Sequence, residues 1–235
     1  MRGRDADLDR LTAYDSPTLS NAIEAFGVRS RAEGFAGPGC ARRTGGPVPM
    51  VGRAVTATMG SAARADDAAQ RTAFYEQVRD SPGPVVCVVV DLDDEPGLGA
   101  FLGEMQASLL SKLGAVGIAT NGAVRDLDQL RAMGFSAFAG SVSVSHAYAH
   151  LVEVGVEVDL AGLHVAPGDV LHGDEHGLLA VPDDLVDRLP PVAEAIVSAE
   201  RSVLSWAGSA DFSVAKILGR LATVSAAAEA AARGE

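Results

Sequence analysis

The chain has 235 residues, 48% of them hydrophobic and 21% charged, which is enough to bury one sizeable core or at most two small ones. Its formal net charge is −12, and with 19 Lys and Arg and no basic cluster beyond Arg42-Arg43 it offers nothing to a phosphate backbone, so nucleic acid and anionic membrane are excluded as partners. The N-terminal stretch is studded with Arg2, Arg4, Asp5, Asp7 and Asp9, no run of about 18 apolar residues occurs, and Cys40 and Cys87 make no disulfide framework, so a soluble cytoplasmic protein with reduced thiols is expected.

No Pro/Ser-rich linker or low-complexity tract interrupts the chain, so one domain spanning residues 1–235 is expected. Ser16-Pro17 reads as a cap with proline in the first turn, Leu19, Ile23 and Phe26 share one face, and Gly27 is a stop; together they predict a short amphipathic helix. From Arg29 to Pro49 glycine and proline are dense, which predicts a long ordered loop. Residues Val51–Thr58 alternate as a strand, and Asp66–Arg79 is a helix candidate closed by Ser81-Pro82-Gly83-Pro84. Val85–Val90 is continuously apolar and β-branched, the pattern of a strand covered on both faces in the middle of a layered α/β domain.

An acidic loop, Asp91–Gly99, leads to a helix that starts at Gly103-Glu104 and carries Met105, Leu109, Leu110 and Leu113 as its apolar stripe. The first amides of such a helix have no internal partners, so they can hold a small carboxylate. Ala115–Thr120 predicts a buried strand that Asn121-Gly122 ends as a turn, and Leu127, Leu130 and Met133 followed by Gly134 predict a short helix beginning at Asp126. Arg125 and Asp126 thus stand at a strand-to-helix corner, where open α/β folds expose groups to ligand. A surface arginine beside a helix-capping aspartate reads equally well from the spacing. Two neighbouring helix starts on one side bring Glu104 toward that pair.

Beyond Gly134, Ser136–Ala139 is a short strand, Val152–Leu179 is turn-rich β structure with Pro167-Gly168-Asp169 as a turn, and Gly177–Pro182 is a closing strand. The last fifty residues are helical, Val192–Leu204 and then Phe212–Ala231, interrupted near Trp206-Ala207-Gly208.

Gly103-Glu104, the run Gly114-Ala115-Val116-Gly117 into Asn121-Gly122-Ala123-Val124-Arg125-Asp126, and Val165-Ala166-Pro167-Gly168-Asp169-Val170 with Gly173-Asp174 and Gly177–Pro182 resemble the RraA-like family. The resemblance covers roughly residues 16–205, leaving 206–235 as a helical extension. It implies an α/β fold of the layered β/β/α swivelling-domain type with C-terminal helices, assembled as homotrimers or homohexamers with active sites between subunits. It also implies a class II pyruvate aldolase that cleaves 4-hydroxy-4-methyl-2-oxoglutarate, with oxaloacetate decarboxylation alongside. Carried over residue by residue, Asp126 anchors a divalent metal largely through waters, which suits Mg²⁺ or Mn²⁺ better than zinc. Arg125 binds the keto oxygen and stabilises the enolate, Glu104 holds or deprotonates a shuttling water, and the amides around Met105 and Gln106, next to Gly103, take the pyruvate carboxylate. Glu200 corresponds to a glutamate supplied by a neighbouring subunit.

All five histidines, His146, His150, His164, His172 and His176, fall in one window. His146 and His150 are one helical turn apart, but no His-Glu-x-x-His is present, so a zinc protease is not supported. Loop hydrogen bonding or an interface role accounts for them better than metal ligation, while a part in substrate choice stays open. A second function class also fits the resemblance: a regulator that binds and inhibits an RNA-degrading endonuclease without catalysis. A methyltransferase is discounted because no Gly-x-Gly-x-Gly loop follows a strand.

Overall fold

The structure is a computed structural model, and it describes residues 2–234. Two helices, α1 (Arg2–Leu11) and α2 (Ser16–Glu24), precede strands β1 (Ala41–Thr44) and β2 (Met50–Gly60), helix α3 (Ala68–Asp80), and strands β3 (Val85–Asp91) and β4 (Ala100–Leu102). Next come α4 (Glu104–Lys112), β5 (Ala115–Val124), α5 (Leu127–Met133), β6 (Ser136–Val142) and β7 (His150–Val154). The hairpin strands β8 (Val158–Leu160) and β9 (Leu163–Val165) are followed by β10 (Val170–Asp174), β11 (Gly177–Val181) and the long helices α6 (Leu189–Ala207) and α7 (Ile217–Arg233).

Strand β3 sets the layering. Each of its residues from Val85 to Asp91 is buried, as a strand covered on both faces requires. Val85, Cys87 and Val89 face a core shared with Phe74 and Val78 of α3, Ala107 and Leu110 of α4 and Leu130 of α5. Val86, Val88 and Val90 point the other way, into a core with Val158, Leu160, Leu163 and Val165 of the β8–β9 hairpin. Period-two alternation along one strand therefore builds hairpin, sheet and helices as three successive layers, the β/β/α arrangement. The central strands β2, β3, β5 and β6 are parallel, in the sheet order β1-β6-β5-β3-β2-β10-β11, and the outermost strands β1 and β11 approach each other so that the sheet curls toward a barrel. A separate core joins α1, α2, α6 and α7 to Val170 and Leu179, with Leu8, Leu11, Leu19 and Ile196 fully enclosed. No helix among the described residues is long and apolar enough to cross a membrane. Cys40 and Cys87 are free and buried, and burial pushes both thiols up, Cys40 to about 12.

Several local expectations change. Asp15, not Ser16, caps α2, its carboxylate accepting from the amide of Thr18 at 2.8 Å. The loop from Arg29 to Pro49 contains strand β1, whose pairing to β6 lies far away in sequence. Asn121-Gly122 does not end β5, which runs on to Val124 with a register shift against β6 at that dipeptide. The Asn121 side chain does the work of a ladder residue: its Oδ1 accepts from the Asp91 amide at 2.7 Å and its Nδ2 donates to the Asp91 carbonyl at 3.0 Å. The inward face of α4 is Ala107 and Leu110, with Leu113 packed beside them, whereas Met105 and Leu109 are exposed. His146 and His150 lie in a loop and at the start of β7, not on a helix.

Candidate active site

The corner forms because β4 takes over from β3 as the partner of β5 near its end, with Ala100 opposite Ala123 and Leu102 opposite Val124. The Arg125 amide donates to the Leu102 carbonyl at 2.9 Å, which carries that pairing one residue past the strand. Gly103 then caps α4, and Asp126 precedes α5. Two helix caps consequently meet one and two residues past two adjoining strand ends.

Asp126 adopts a left-handed backbone, φ 56° and ψ 42°, uncommon for a residue with a side chain. Its carboxylate makes no capping bond to its own helix; Oδ2 instead accepts from the Glu104 amide at 2.9 Å, capping α4 across the corner. A Cβ on Gly103 would overlap that oxygen and crowd Arg125, so this approach requires glycine. Oδ2 also lies 3.7 Å from Arg125 Nε, while Oδ1 has no partner among the described residues. The pair is open to ligand, its side chains being 37% and 35% exposed, and the terminal nitrogens of Arg125 make no hydrogen bond among the described residues.

The helix amides divide their roles. Ala107 N–H already bonds to the Gly103 carbonyl and Glu104 N–H to Asp126, whereas the amides of Met105 and Gln106 have no partner among the described residues. They lie at the positive end of α4, so a carboxylate placed there gains two hydrogen bonds and the helix field. The Glu104 side chain is exposed. Gln106 is fixed from α3, with Tyr75 Oη donating to its Oε1 at 3.0 Å, and its Nε2 is buried without a partner. A buried donor without a partner, two residues into the helix that starts at the corner, is a candidate contact that sequence spacing does not reveal. Tyr75 and Asn121 are the other residues of the neighbourhood with no local sequence signal, since each acts on a partner about thirty residues away.

Glu200 is exposed on α6, a helix packed against α1, α2 and α7, and the single chain does not bring it to the corner. The histidines are not gathered there either. His172 is fully buried, with Nε2 3.1 Å from the Tyr14 carbonyl and Nδ1 2.8 Å from Ser16 Oγ. A carbonyl only accepts, so Nε2 carries the proton and Nδ1 accepts from the serine hydroxyl. His176 contacts Asp174 and His164 contacts Glu157, both near the surface. Among the described residues no three His, Cys, Asp or Glu side chains are placed to hold a metal ion. The protein oxygen that the corner leaves without a partner among the described residues is Asp126 Oδ1, which would hold a divalent ion whose other positions are filled mainly by water and substrate. That donor set fits Mg²⁺ and not a zinc site of three or four protein ligands.

A family model described as RraA-like, Aldolase/RraA, matches residues 16–180. A Thermus thermophilus protein named 4-hydroxy-4-methyl-2-oxoglutarate aldolase is 38% identical over 86 residues, 36% of this chain and 52% of that protein. A Halalkalibacterium halodurans protein provisionally given the same aldolase name is 28% identical over 134 residues, 57% of this chain and 60% of its own. The chain thus spans less than two thirds of either relative's length. The crystal structure of Streptomyces coelicolor RraAS2, described as an unusual member of the RNase ES inhibitor RraA protein family, aligns with a TM-score of 0.66 at 19% identity, covering 84% of this chain and 96% of that one. At that identity the likeness speaks to the fold alone.

Proposed function

The chain belongs to the RraA-like family, and from that premise we propose that it is a divalent-metal-dependent lyase that cleaves a 4-hydroxy-2-oxo acid, of the 4-hydroxy-4-methyl-2-oxoglutarate type, to pyruvate. The observation that carries this reading is the juxtaposition, at one exposed corner, of the terminal nitrogens of a guanidinium, a carboxylate oxygen and two helix amides, all of which lack partners among the described residues. The amides of Met105 and Gln106 receive the 1-carboxylate. Arg125 donates to the 2-oxo oxygen, and its charge is worth most when that oxygen becomes an enolate as the C3–C4 bond breaks. Glu104 holds the water that takes the 4-hydroxyl proton, and the same water returns a proton to C3 of the enolate to give pyruvate. Mg²⁺ or Mn²⁺ at Asp126 would add Lewis-acid charge to the developing enolate. Oxaloacetate losing CO₂ gives the same enolate, so decarboxylation accompanies the aldol cleavage. In this proposal the chain forms a trimer or hexamer, and Glu200 of a neighbouring subunit completes the site.

The test is pyruvate release from oxaloacetate and from 4-hydroxy-4-methyl-2-oxoglutarate. Activity that EDTA abolishes and Mg²⁺ restores is the expected result. No pyruvate from either substrate with Mg²⁺ or Mn²⁺ present would defeat the lyase reading.

A further inference from the structure

Strand β1, the turn after it and α5 enclose an open cleft of about 460 Å³, lined by Arg42, Arg43 and Arg131 together with Gly45, Gly46 and Glu175. The guanidinium groups are positioned by backbone oxygens. Arg42 Nε donates to the Thr44 carbonyl at 3.4 Å and its Nη2 to that of Gly46; Arg43 Nε donates to the Ala139 carbonyl at 3.0 Å and its Nη2 to that of Gly140 at 2.5 Å. A carbonyl orients a guanidinium without cancelling its charge. Among the described residues the carboxylates paired with these arginines are solvent-facing: Glu175, 87% exposed and 3.9 Å from Arg42 Nη1, and Asp128, 93% exposed and 2.7 Å from Arg131 Nη1. Arg43 has no acidic partner among the described residues, so the cleft keeps positive charge in a chain whose formal net charge is −12. Its remaining wall adds donors: the amides of Gly45 and Gly46 have no hydrogen-bond partner among the described residues, and nothing lies within 4 Å of where a Gly46 side chain would begin.

We propose that this cleft binds a multiply charged oxyanion, a phosphate group or a dicarboxylate carried by a small molecule. The guanidinium nitrogens of Arg43 and Arg131 that have no partner among the described residues can pair with oxyanion oxygens, and the open space where a Gly46 side chain would begin lets the anion approach the backbone there. The cleft uses none of the residues assigned to the corner, so the proposal stands apart from the lyase reading.

Calorimetric titration of the full chain with inorganic phosphate, and separately with malonate, tests it. One saturable site per chain is expected, with a dissociation constant on the order of 1 mM or tighter at low ionic strength. Arg43→Gln and Arg131→Gln should each weaken it about tenfold or more, the loss of one charge-assisted hydrogen bond. Among the described residues the Arg131 side chain hydrogen-bonds to the exposed Asp128 alone, so Arg131→Gln should leave the thermal midpoint unchanged and keeps the test valid where Arg43→Gln unsettles the fold. Saturation by phosphate alone identifies a phosphate ester, by malonate alone a dicarboxylate, and either supports the site. Absence of saturable heat with both anions overturns the proposal, as does binding that survives both substitutions or that disappears in Arg125→Ala instead.

Discussion

Asp126 reaches the Glu104 amide through two constrained residues. Its own left-handed backbone costs about 1–2 kcal/mol, and the neighbouring Gly103 must have no side chain. Strain of this kind persists where surrounding contacts overdetermine it, here the β4–β5 pairing on one side and α5 on the other. Gly103→Ala should push the carboxylate off the α4 terminus. Mg²⁺-dependent decarboxylation is then expected to fall about tenfold or more, while the thermal midpoint moves little because Gly103 is only half-buried. Unchanged turnover in that variant would show that Asp126 does not need its present position. Among the described residues Arg125 makes no hydrogen bond through its terminal nitrogens, so its removal tests chemistry rather than folding. Arg125→Ala should raise the barrier by roughly 3 kcal/mol or more, read as kcat for pyruvate release. Arg125→Lys should recover little, since a point charge does not replace a planar fork.

At the scale of elements, β5 continues because Asn121 pairs with the backbone of Asp91 where β3 stops pairing with it. Asn121→Ala would leave the Asp91 N–H and C=O without partners at a largely buried position, a loss of about 2 kcal/mol that a shift in the urea midpoint would measure. The same residue shows why the sequence misled. Asn-Gly has a strong local turn preference, but the bond that overrides it reaches thirty positions back. The corner itself was readable, because the apolar run into Arg125 and the glycine stop at Gly134 are local signals that the structure keeps. The exposure of Met105 and Leu109 was not, since helical periodicity marks a stripe but not how wide a neighbouring layer covers it. The histidine window likewise concealed a clip between β10 and the start of α2. Burial pushes His172 below the ordinary imidazole range, against the opposing charge of Asp174. Burial pushes Asp174 up, but the amides of Ser16 and His176 outweigh it and leave its pKa lowered. In the unfolded chain His172 binds its proton more readily than in the folded one, so stability should fall as pH drops below about 6.5, the unfolded histidine value. Asp174 adds its own loss only further down, below about 3.9. Chemical denaturation between pH 7.5 and 5.5 should show that slope, and His172→Gln should flatten it whatever the variant's own cost. An equal slope in the variant would exclude the clip as its source.

On the scale of the whole molecule, two groups of exposed apolar side chains bear on assembly. Val142 and Val144, with Leu98 and Met105, stand exposed around the corner, and Leu204, Val214 and Leu218 stand exposed where α6 turns into α7. Scattered exposed aliphatics are ordinary, but Val144 is 98% exposed and Leu218 81%, and the first group borders the proposed site. A neighbouring copy that brings its α6 to this rim would cover the apolar side chains and deliver Glu200, which one chain holds away from its own corner. This arrangement separates two variants that otherwise look alike. Arg125→Ala and Glu200→Gln should each be nearly inactive alone, because each spoils every site of its own homo-oligomer. Mixed in equal amounts under conditions that exchange subunits, random pairing places an intact Arg125 opposite an intact Glu200 at about one quarter of the sites. Recovery of about a quarter of wild-type pyruvate release is therefore expected, with Val144→Asp abolishing both the recovery and the oligomer seen by sedimentation. A mixture that stays inactive while its subunits demonstrably exchange would place Glu200 outside the reaction. A monomeric wild-type chain with full activity would remove the need for a shared site at all.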